Sequence, residues 1–363
     1  MTVYNWPKIM EMKSNEELVE ITETNLEGLD HDGLLMAEAE LKKRFENGQF
    51  ELNKEPKFPE KPILDHKNQS YHKSILSAII FIAAFYFIFN WELSSILILT
   101  GVLLIHELGH LLAMKAFNYK DLNMFFIPLL GAAAFGTKKD ISQKQKLFIS
   151  LAGPLPGIII GSFIYAHGYA ADNDLYIRIG NMFIYLNLFN LIPVMPLDGG
   201  RMIKDLFFYK KEKISIIFLW ISIACLIILS IKMEAFLMLI IPVFLFTQIS
   251  VQTEYIKIRQ VLIDKGFDIN KAYEDLSNEE YWLLRDELAL NMKTISRIVD
   301  PKRYIQVANE KIVVNSLKQI LQNPSVKKLS TGGKVFFILL WISAFLIPFL
   351  VLAAYYILGL IER

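Results

Sequence analysis

Long apolar stretches alternate with short charged ones over most of the 363-residue chain. A helix needs about twenty apolar residues to cross a bilayer, because the hydrocarbon core is about 30 Å thick and each residue adds about 1.5 Å. Runs of suitable length lie near residues 74–90, 94–117, 146–167, 176–197, 214–231, 234–251 and 334–360. The pattern therefore predicts an all-α polytopic membrane protein with about seven transmembrane helices.

Lysine and arginine are concentrated in alternate loops between these runs. The loops after the second and fourth runs are strongly basic, whereas the loops on the other side carry almost no positive charge. Basic loops stay in the cytoplasm, so the N-terminus and residues 252–333 are predicted to be cytoplasmic. The first apolar run begins only near Ser74, and the charged stretch before it has no signal-peptide pattern.

One apolar segment between the second and third runs is too short to span. It covers Asp121 to Thr137, contains Pro128, Gly131 and Gly136, and has lysines on both sides. A segment with both ends on one side must enter and leave the membrane at the same face. We predict a re-entrant loop here, with a hairpin as one possible form. Its backbone either binds a substrate strand or plugs the core.

Polar segments between and around the apolar runs divide the chain into four predicted regions. Residues 1–73 are expected to form a small cytoplasmic helical region with a Pro-rich linker. Residues 74–251 form a six-span membrane domain, residues 252–333 a cytoplasmic helical domain, and residues 334–363 a C-terminal transmembrane helix.

Helical signals within residues 252–333 support a folded domain there. Ser277 and Glu280 have the spacing of a capping box. The helix that follows is predicted to bury Leu283, Leu284 and Leu288. Nothing in the region has catalytic spacing.

Composition agrees with the membrane class. Hydrophobic residues make up 53% of the chain and include 26 Phe, which is not the balance of a soluble domain. The formal net charge is +1, so charge gives no reason to expect nucleic acid as a partner. The single cysteine, Cys225, excludes an internal disulfide.

The sequence His106-Glu107-Leu108-Gly109-His110 lies inside the second apolar run. Residues four apart share a face of an α-helix, so the two histidines can bind one metal ion with Glu107 beside it. Imidazoles and a carboxylate are unfavourable in hydrocarbon unless they have partners. We therefore predict a zinc site. The alternatives are core histidines paired with neighbouring helices, and a purely structural zinc site, which usually has Cys ligands.

A catalytic zinc ion takes three protein ligands and keeps one position open. The fourth run ends with Asn190-Leu191-Ile192-Pro193, followed by Leu197-Asp198-Gly199. Pro193 and Pro196 cannot continue a regular helix, so this end is expected to unwind and turn Asp198 inward. From these residues alone, Asp198 is either the third ligand or an ordinary aspartate at the membrane surface.

Together the two motifs resemble those of the site-2 protease family of intramembrane zinc metalloproteases. The resemblance covers about Ser94 to Lys213, and Leu151-Ala152-Gly153-Pro154 is similar to the middle helix of the family's three-helix catalytic core. Pro156-Gly157 stand where many members carry an asparagine after this Gly-Pro. The resemblance implies that the zinc ligands are His106, His110 and Asp198, that Glu107 is the catalytic glutamate, and that Asn190 is the asparagine near the scissile carbonyl.

The sequence thus predicts a zinc metalloendopeptidase, with one zinc ion per chain, that cuts within or next to transmembrane segments. Its expected partners are the lipid bilayer and membrane-protein or membrane-peptide substrates, in regulated intramembrane proteolysis or in peptide clearance. Its lean architecture favours a bacterial plasma membrane. The alternatives are a catalytically inactive zinc-binding scaffold and a transporter, although a transporter would have similarly interrupted spans in two halves.

Overall fold

The computed structural model describes residues 6–24, 31–47, 58–62, 71–128, 131–138, 141–209, 211–292, 297–299, 305–307, 309–321 and 328–360. The chain divides into two compact units, Met1–Pro59 and Glu60–Arg363. The predicted region 1–73 thus contains the first unit and the start of the second.

The first unit contains three described helices: α1 (Trp6–Met12), α2 (Asn15–Thr24) and α3 (His31–Glu46). Apolar side chains from all three helices are almost completely buried between them: Met10, Leu18, Ile21 and Ala37. So short a segment is stabilised mainly by removing these side chains from water. The guanidinium of Arg44 also donates hydrogen bonds to main-chain carbonyls at the end of α1, where helix geometry leaves them without partners.

The second unit is mostly helical. Its described helices are α4 (Tyr71–Phe89), α5 (Leu93–Ala116), α6 (Gln143–Ala152), α7 (Pro154–Ala170), α8 (Asp174–Asn190), α9 (Asp198–Phe207), α10 (Glu212–Lys232), α11 (Ile240–Asp264), α12 (Asn278–Asn291), α13 (Glu310–Ile320) and α14 (Thr331–Ile357). Its strands are β1 (Lys120–Ile127), β2 (Gly131–Thr137), β3 (Arg297–Val299) and β4 (Ile305–Val307). The antiparallel pairs β1–β2 and β3–β4 are a departure from the predicted all-α class.

Five helical stretches among the described residues are long and apolar enough to cross a membrane: Leu93–Ala116, Gln143–Ala170, Glu212–Lys232, Phe236–Asp264 and Thr331–Ile357. The protein is therefore a multi-pass membrane protein. The first predicted run forms a shorter apolar helix, His72–Ile88, and the fourth forms α8, which has 17 residues. At about 1.5 Å per residue, α8 is about 25 Å long, which is shorter than the hydrocarbon core. Seven spans are thus not confirmed, and the first and fourth remain predictions.

The segment predicted to be a re-entrant loop is an antiparallel hairpin. Strand β1 pairs with β2, with one irregularity between Lys120 and Asn123. The hairpin lies against α4, where the main-chain N–H of Phe126 donates a hydrogen bond to Ser77 Oγ at 3.0 Å. Its depth in the bilayer remains a prediction.

The last helix, α14, packs against the helices α6 to α9. Apolar side chains from these helices form one buried cluster: Leu147, Leu151, Ile158, Leu191, Met202, Leu206, Phe337 and Ala344. Polar contacts add to it, since Trp341 Nε1–H donates to the main-chain oxygen of Leu191 at 3.0 Å. The Gln143 side chain bonds both the Leu329 N–H and the Asp205 carbonyl. The end of the chain thus supports the loop before α9 and the end of α9.

Helix α11 crosses the predicted boundary between the membrane domain and the cytoplasmic helical domain. No glycine or proline interrupts residues 252–264, so α11 continues from its apolar part to Asp264 across the predicted boundary at residue 252. The predicted capping box before α12 is confirmed, with reciprocal hydrogen bonds between Ser277 and Glu280.

The predicted buried face of α12 is partly wrong. Leu284 and Leu288 are buried as predicted, together with Tyr281, but Leu283 is 45% exposed. Residues 281, 284 and 288 are spaced three and four apart and share one helix face, whereas the neighbouring position 283 lies about 100° around the helix axis.

Candidate active site

The first two residues of the site come from α5. His106 and His110 lie one helical turn apart, and only 3% and 6% of their surfaces are exposed. Their rings point to the same place, with the two Nε2 atoms 3.1 Å apart. The helical period thus brings the two imidazoles together, as the spacing predicts.

The third residue comes from the break between α8 and α9. Helix α8 ends at Asn190, residues 191–197 are not helical, and α9 begins at Asp198. Pro193 and Pro196 lie in this break, consistent with their poor fit in a regular helix. Asp198 is 5% exposed, and its Oδ2 lies 3.0 Å from His106 Nε2 and 3.1 Å from His110 Nε2. The structure therefore brings the three predicted ligands together.

A hydrogen bond at Nδ1, the ring nitrogen opposite Nε2, orients each imidazole. His106 Nδ1 lies 2.7 Å from Asn187 Oδ1, and His110 Nδ1 lies 2.7 Å from the main-chain oxygen of Ile149. The Asn187 amide is itself oriented, because its Nδ2 donates to the Phe183 carbonyl at 2.7 Å. Both Nδ1 partners are acceptors, so each Nδ1 carries a hydrogen.

This hydrogen-bond pattern fits a metal ion. In a neutral imidazole with hydrogen on Nδ1, the Nε2 atom presents a lone pair. Two such nitrogens and the Asp198 carboxylate oxygen, separated by 3.0–3.1 Å, repel one another unless a cation lies among them. Ligand atoms about 2.0–2.1 Å from a tetrahedral zinc ion lie about 3.3 Å apart. His106, His110 and Asp198 therefore form a group that could hold one metal ion.

Two glycines allow the helices to approach this closely. A Cβ on Gly153 would lie 2.4 Å from His110 Nε2, and a Cβ on Gly157 would lie 2.2 Å from Asn187 Nδ2. Gly157 belongs to the Pro156-Gly157 pair that stands where many site-2 proteases carry an asparagine. The Asn187 amide of α8 occupies the space of a side chain at that position, so a polar group reaches His106 from another helix.

We call His106, His110 and Asp198 the metal-binding group. Glu107 lies beside this group and next to the hairpin. It is 5% exposed, and its carboxylate is close enough to interact electrostatically with both histidines and with Asp198. The main-chain N–H of Ala134 in β2 faces this carboxylate. The hairpin thus brings one backbone donor to the edge of the site.

The two asparagines at the end of α8 have different surroundings. Asn190 is half-buried, and its side-chain amide donates to the Leu186 carbonyl at 3.1 Å. Asn187 is completely buried and bonds His106. Sequence reasoning did not select Asn187. The available signal was its position in an apolar run three residues before Asn190, because a buried amide needs a partner.

A cavity of about 390 Å³ begins beside the site. Its walls include Ile149, whose carbonyl bonds His110, and Arg201, whose Nη1 lies 3.7 Å from Asp198 Oδ1. The remaining polar walls are Tyr119, Lys146, Ser150, Lys204 and Asp205.

Burial shifts the pKa of three side chains that line this cavity. Burial, together with the nearby Asp205 carboxylate, raises the pKa of Tyr119 to about 12. Burial lowers the pKa of Lys204. Burial also raises the pKa of Asp205, against the opposing effect of Lys146, Lys204 and Arg201. The cavity therefore contains poorly hydrated charges next to the metal-binding group.

Residues 94–176 of the chain match Peptidase family M50. Over 119 residues the chain is 32% identical to a zinc metalloprotease of Methanocaldococcus jannaschii, and the overlap covers 31% of this chain and 34% of that protein. Over 216 residues it is 24% identical to stage IV sporulation protein FB of Bacillus subtilis, which covers 52% of this chain and 73% of that protein. The solved site-2 protease of M. jannaschii aligns with 49% of this chain and 88% of that chain, at 22% identity and a TM-score of 0.37.

The predicted resemblance to the site-2 protease family is confirmed by the M50 match. The matched residues 94–176 include both histidines, Glu107 and the Gly153-Pro154 pair, but they end before Asn190 and Asp198. The chain spans about a third of the length of the M. jannaschii zinc metalloprotease that it matches, 34%. The convergence of Asp198 with the histidines is thus an observation of the structure, independent of the family match.

Proposed function

We propose that this protein is an intramembrane zinc metalloprotease that hydrolyses peptide bonds within or next to transmembrane segments of membrane proteins. Its role would be regulated intramembrane proteolysis or the clearance of membrane peptides. The observation that carries the proposal is the convergence of His106 Nε2, His110 Nε2 and Asp198 Oδ2 within 3.0–3.1 Å. One zinc ion per chain, bound by these atoms, is part of the proposal.

Glu107 has the role of proton carrier. When bound at such a site, zinc makes a water molecule more acidic and polarises a carbonyl oxygen. Glu107 accepts the proton of the attacking water and passes it to the leaving amine. Its burial and its position one residue after His106 support this role, because the carboxylate has few competing water partners.

Asn190 has the role of sharing the negative charge that develops on the scissile carbonyl oxygen. It is the last residue of α8, immediately before the loop that leads to Asp198. Its amide donates to the Leu186 carbonyl, so this role requires the side chain to turn from its own helix toward a substrate.

The hairpin has the role of binding the unwound substrate as an added strand. In antiparallel pairs, alternate residues direct both backbone groups away from the partner strand. The Phe126 N–H bonds Ser77 instead of β2, and the residue paired with Phe126 is Ala132. Ala132 and Ala134 therefore direct their backbone groups away from β1, and the Ala134 N–H faces Glu107. Among the described residues no strand pairs with this side of β2, and this supports substrate binding over a plug.

The proposed location is a bacterial plasma membrane, with the N-terminus in the cytoplasm and the site open to the cytoplasm. The basic residues that follow α5 and α9 support this orientation, because basic loops are retained on the cytoplasmic side. The cavity beside the site opens among several of these residues, Lys146, Arg201 and Lys204.

The proposal is tested by zinc content and cleavage in the wild type, in Glu107→Gln, and in Glu92→Gln as matched control. Glu92 precedes the same helix, and its side chain is 67% exposed. We expect one zinc ion per chain in all three proteins, and a loss of about 10²- to 10⁴-fold in cleavage only in Glu107→Gln. Membrane polypeptides that accumulate in cells expressing Glu107→Gln identify the substrates for this assay.

The alternative function, an inactive zinc-binding scaffold, predicts a different result. Zinc would be present in the wild type and in both variants, none would cleave the accumulated polypeptides, and the same polypeptides would accumulate with every variant. That outcome would refute the protease.

A further inference from the structure

Helix α9 carries a row of charged residues that begins at the metal-binding group. Asp198, Arg201 and Asp205 are spaced three and four residues apart, so they lie on one side of the helix, with Lys204 next to Asp205. The Arg201 guanidinium lies 3.7 Å from Asp198 Oδ1. The row thus leads from the proposed zinc ligand toward the far end of α9.

Two cavities follow this row. The first, of about 390 Å³, touches Ile149 and Arg201 beside the site. The second, of about 430 Å³, lies at the ends of α9 and α10 and reaches Arg259 of α11. Both are lined by Lys146, Lys204 and Asp205, so the two cavities share one wall.

The two lysines on this wall form no close ion pair with the described carboxylates, although Asp205 interacts with both of them electrostatically at longer range. Among the residues that the structure describes, no carboxylate oxygen lies within 4.0 Å of the Lys146 or Lys204 ammonium, although Lys146 lies over the Tyr209 ring at 5.6 Å. Asp205 is the one acidic residue on the shared wall. Arg259, by contrast, is fully engaged with Glu212 and with main-chain oxygens of α13.

We propose that Lys146 and Lys204 bind the carboxylate of an acidic residue in the substrate, close to the scissile bond on its cytoplasmic side. This inference rests on the proposed function and adds a substrate class to it. Asp198 and Lys204 are six residues apart, or about 9 Å along the helix axis. An unwound chain advances about 3.3 Å per residue, so the acidic residue lies about three positions from the scissile bond.

Lys146, Lys204 and Arg201, here called the basic wall, also disfavour substrates with a basic cytoplasmic end. Transmembrane segments usually have Lys or Arg at their cytoplasmic ends, and such ends are repelled by Lys146, Lys204 and Arg201. Rejection of like charge is an effective source of specificity. The enzyme therefore selects the minority of membrane segments that carry an acidic cytoplasmic flank.

The test compares synthetic transmembrane peptides that differ only in three flanking residues, which are Asp, Ser or Lys. The full-length protein is assayed in detergent micelles as wild type, Lys146→Ala/Lys204→Ala and Lys146→Glu/Lys204→Glu. We expect the wild type to favour the Asp flank over the Lys flank by about tenfold or more in kcat/KM. The preference should disappear in the alanine variant and reverse in the glutamate variant.

Two controls separate local from general electrostatics. Lys257→Glu makes the same charge change on the exposed face of α11 and should keep the wild-type ratio. Raising the salt concentration from about 0.1 M to about 1 M shortens the screening length from about 10 Å to about 3 Å and should reduce the preference. Moving a single Asp along the flank should give the largest effect near the third position.

A binding measurement keeps this inference separate from the proposed function. Fluorescent versions of the same peptides are bound to Glu107→Gln and to Glu107→Gln/Lys146→Ala/Lys204→Ala. If no peptide is cleaved by the wild type but the Asp flank binds more tightly in a Lys-dependent way, the protease proposal fails and the acidic-residue site stands. If all flanks are cleaved or bound alike, the acidic-residue site is refuted.

A third outcome would assign the wall to another ligand. Native mass spectrometry of wild type purified from vesicles containing an anionic phospholipid would then show a retained lipid that Lys146→Ala/Lys204→Ala lacks, with no discrimination among peptide flanks. This result would overturn the substrate assignment in favour of a lipid headgroup.

Discussion

The charged side chains at the two ends of α9 have different partners. At the first end, Asp198 is 5% exposed and faces two imidazoles at 3.0 and 3.1 Å, each oriented by its own hydrogen bond. At the other end, Lys204 and Asp205 are neighbours in the chain, but among the described residues neither side chain has an ion pair within 4.0 Å. At the first end each charged group faces partners in a fixed geometry, whereas at the other end the charges are only partly compensated.

This difference suits the two ends of α9 to two kinds of ligand. Buried charges are tolerated where several groups compensate them in a fixed geometry, and such a geometry is what a metal site requires. Incompletely compensated charges remain available to a ligand that supplies the missing charge. The first end of α9 is therefore suited to stable binding of a metal ion. The second end is suited to reversible binding of an anionic ligand.

The largest effect is expected when an aspartate is replaced by asparagine at each end of α9. Asp198→Asn removes a carboxylate from the three converging atoms and should weaken zinc binding by more than about a hundredfold, because loss even of outer partners costs about 10- to 100-fold. Asp205→Asn should leave zinc binding unchanged. Zinc content after dialysis against a weak chelator measures both. Equal zinc retention in the two variants would remove the distinction between the ends.

A smaller effect separates the two asparagines of α8. Asn187→Gly removes the acceptor for His106 Nδ1 and should lower zinc affinity by about 10- to 100-fold. Asn190→Gly, the same change three residues later, should keep zinc affinity and lower kcat. Competition with a fluorescent zinc chelator measures affinity, and peptide cleavage measures kcat.

A rescue variant distinguishes orientation of His106 from loss of packing. The Asn187 amide fills the space of a side chain at position 157, so Gly157→Asn combined with Asn187→Gly should recover most of the zinc affinity. If the double variant binds zinc no better than Asn187→Gly, the Asn187 amide acts through packing and not through its bond to His106.

The smallest expected effect concerns the pH dependence of stability. Burial raises the pKa of Asp205 above its ordinary value of 3.8. As pH rises through that ordinary value, the unfolded carboxyl ionises before the folded one, so this residue lowers stability progressively above about pH 4. Asp205→Asn should therefore stabilise the protein, by about 1 kcal/mol or less, and more at pH 7 than at pH 4. Thermal unfolding in detergent across this range measures the difference, and a constant difference would contradict it.

Features that depend on local repeats were predictable from the amino-acid sequence. Apolar runs predicted the membrane class, and helical spacing predicted that His106 and His110 share a face, because both follow from the geometry of one helix. The break at Pro193 and Pro196 was also predictable, since proline cannot continue a helix. The same local logic failed at Leu283, where an apolar residue lies on the exposed side of α12.

Contacts between residues far apart in the chain became visible only in the folded structure. His106 and Asp198 are separated by 92 positions, and on residues alone Asp198 could equally have remained at the membrane surface. The contact of Asn187 with His106, the hairpin beside Glu107 and the meeting of the lysines of α6 and α9 likewise depend on packing between elements far apart in the chain. No local period encodes such contacts, because they are set by how helices fit together, at places such as Gly153 and Gly157 where the absence of a side chain lets backbones approach.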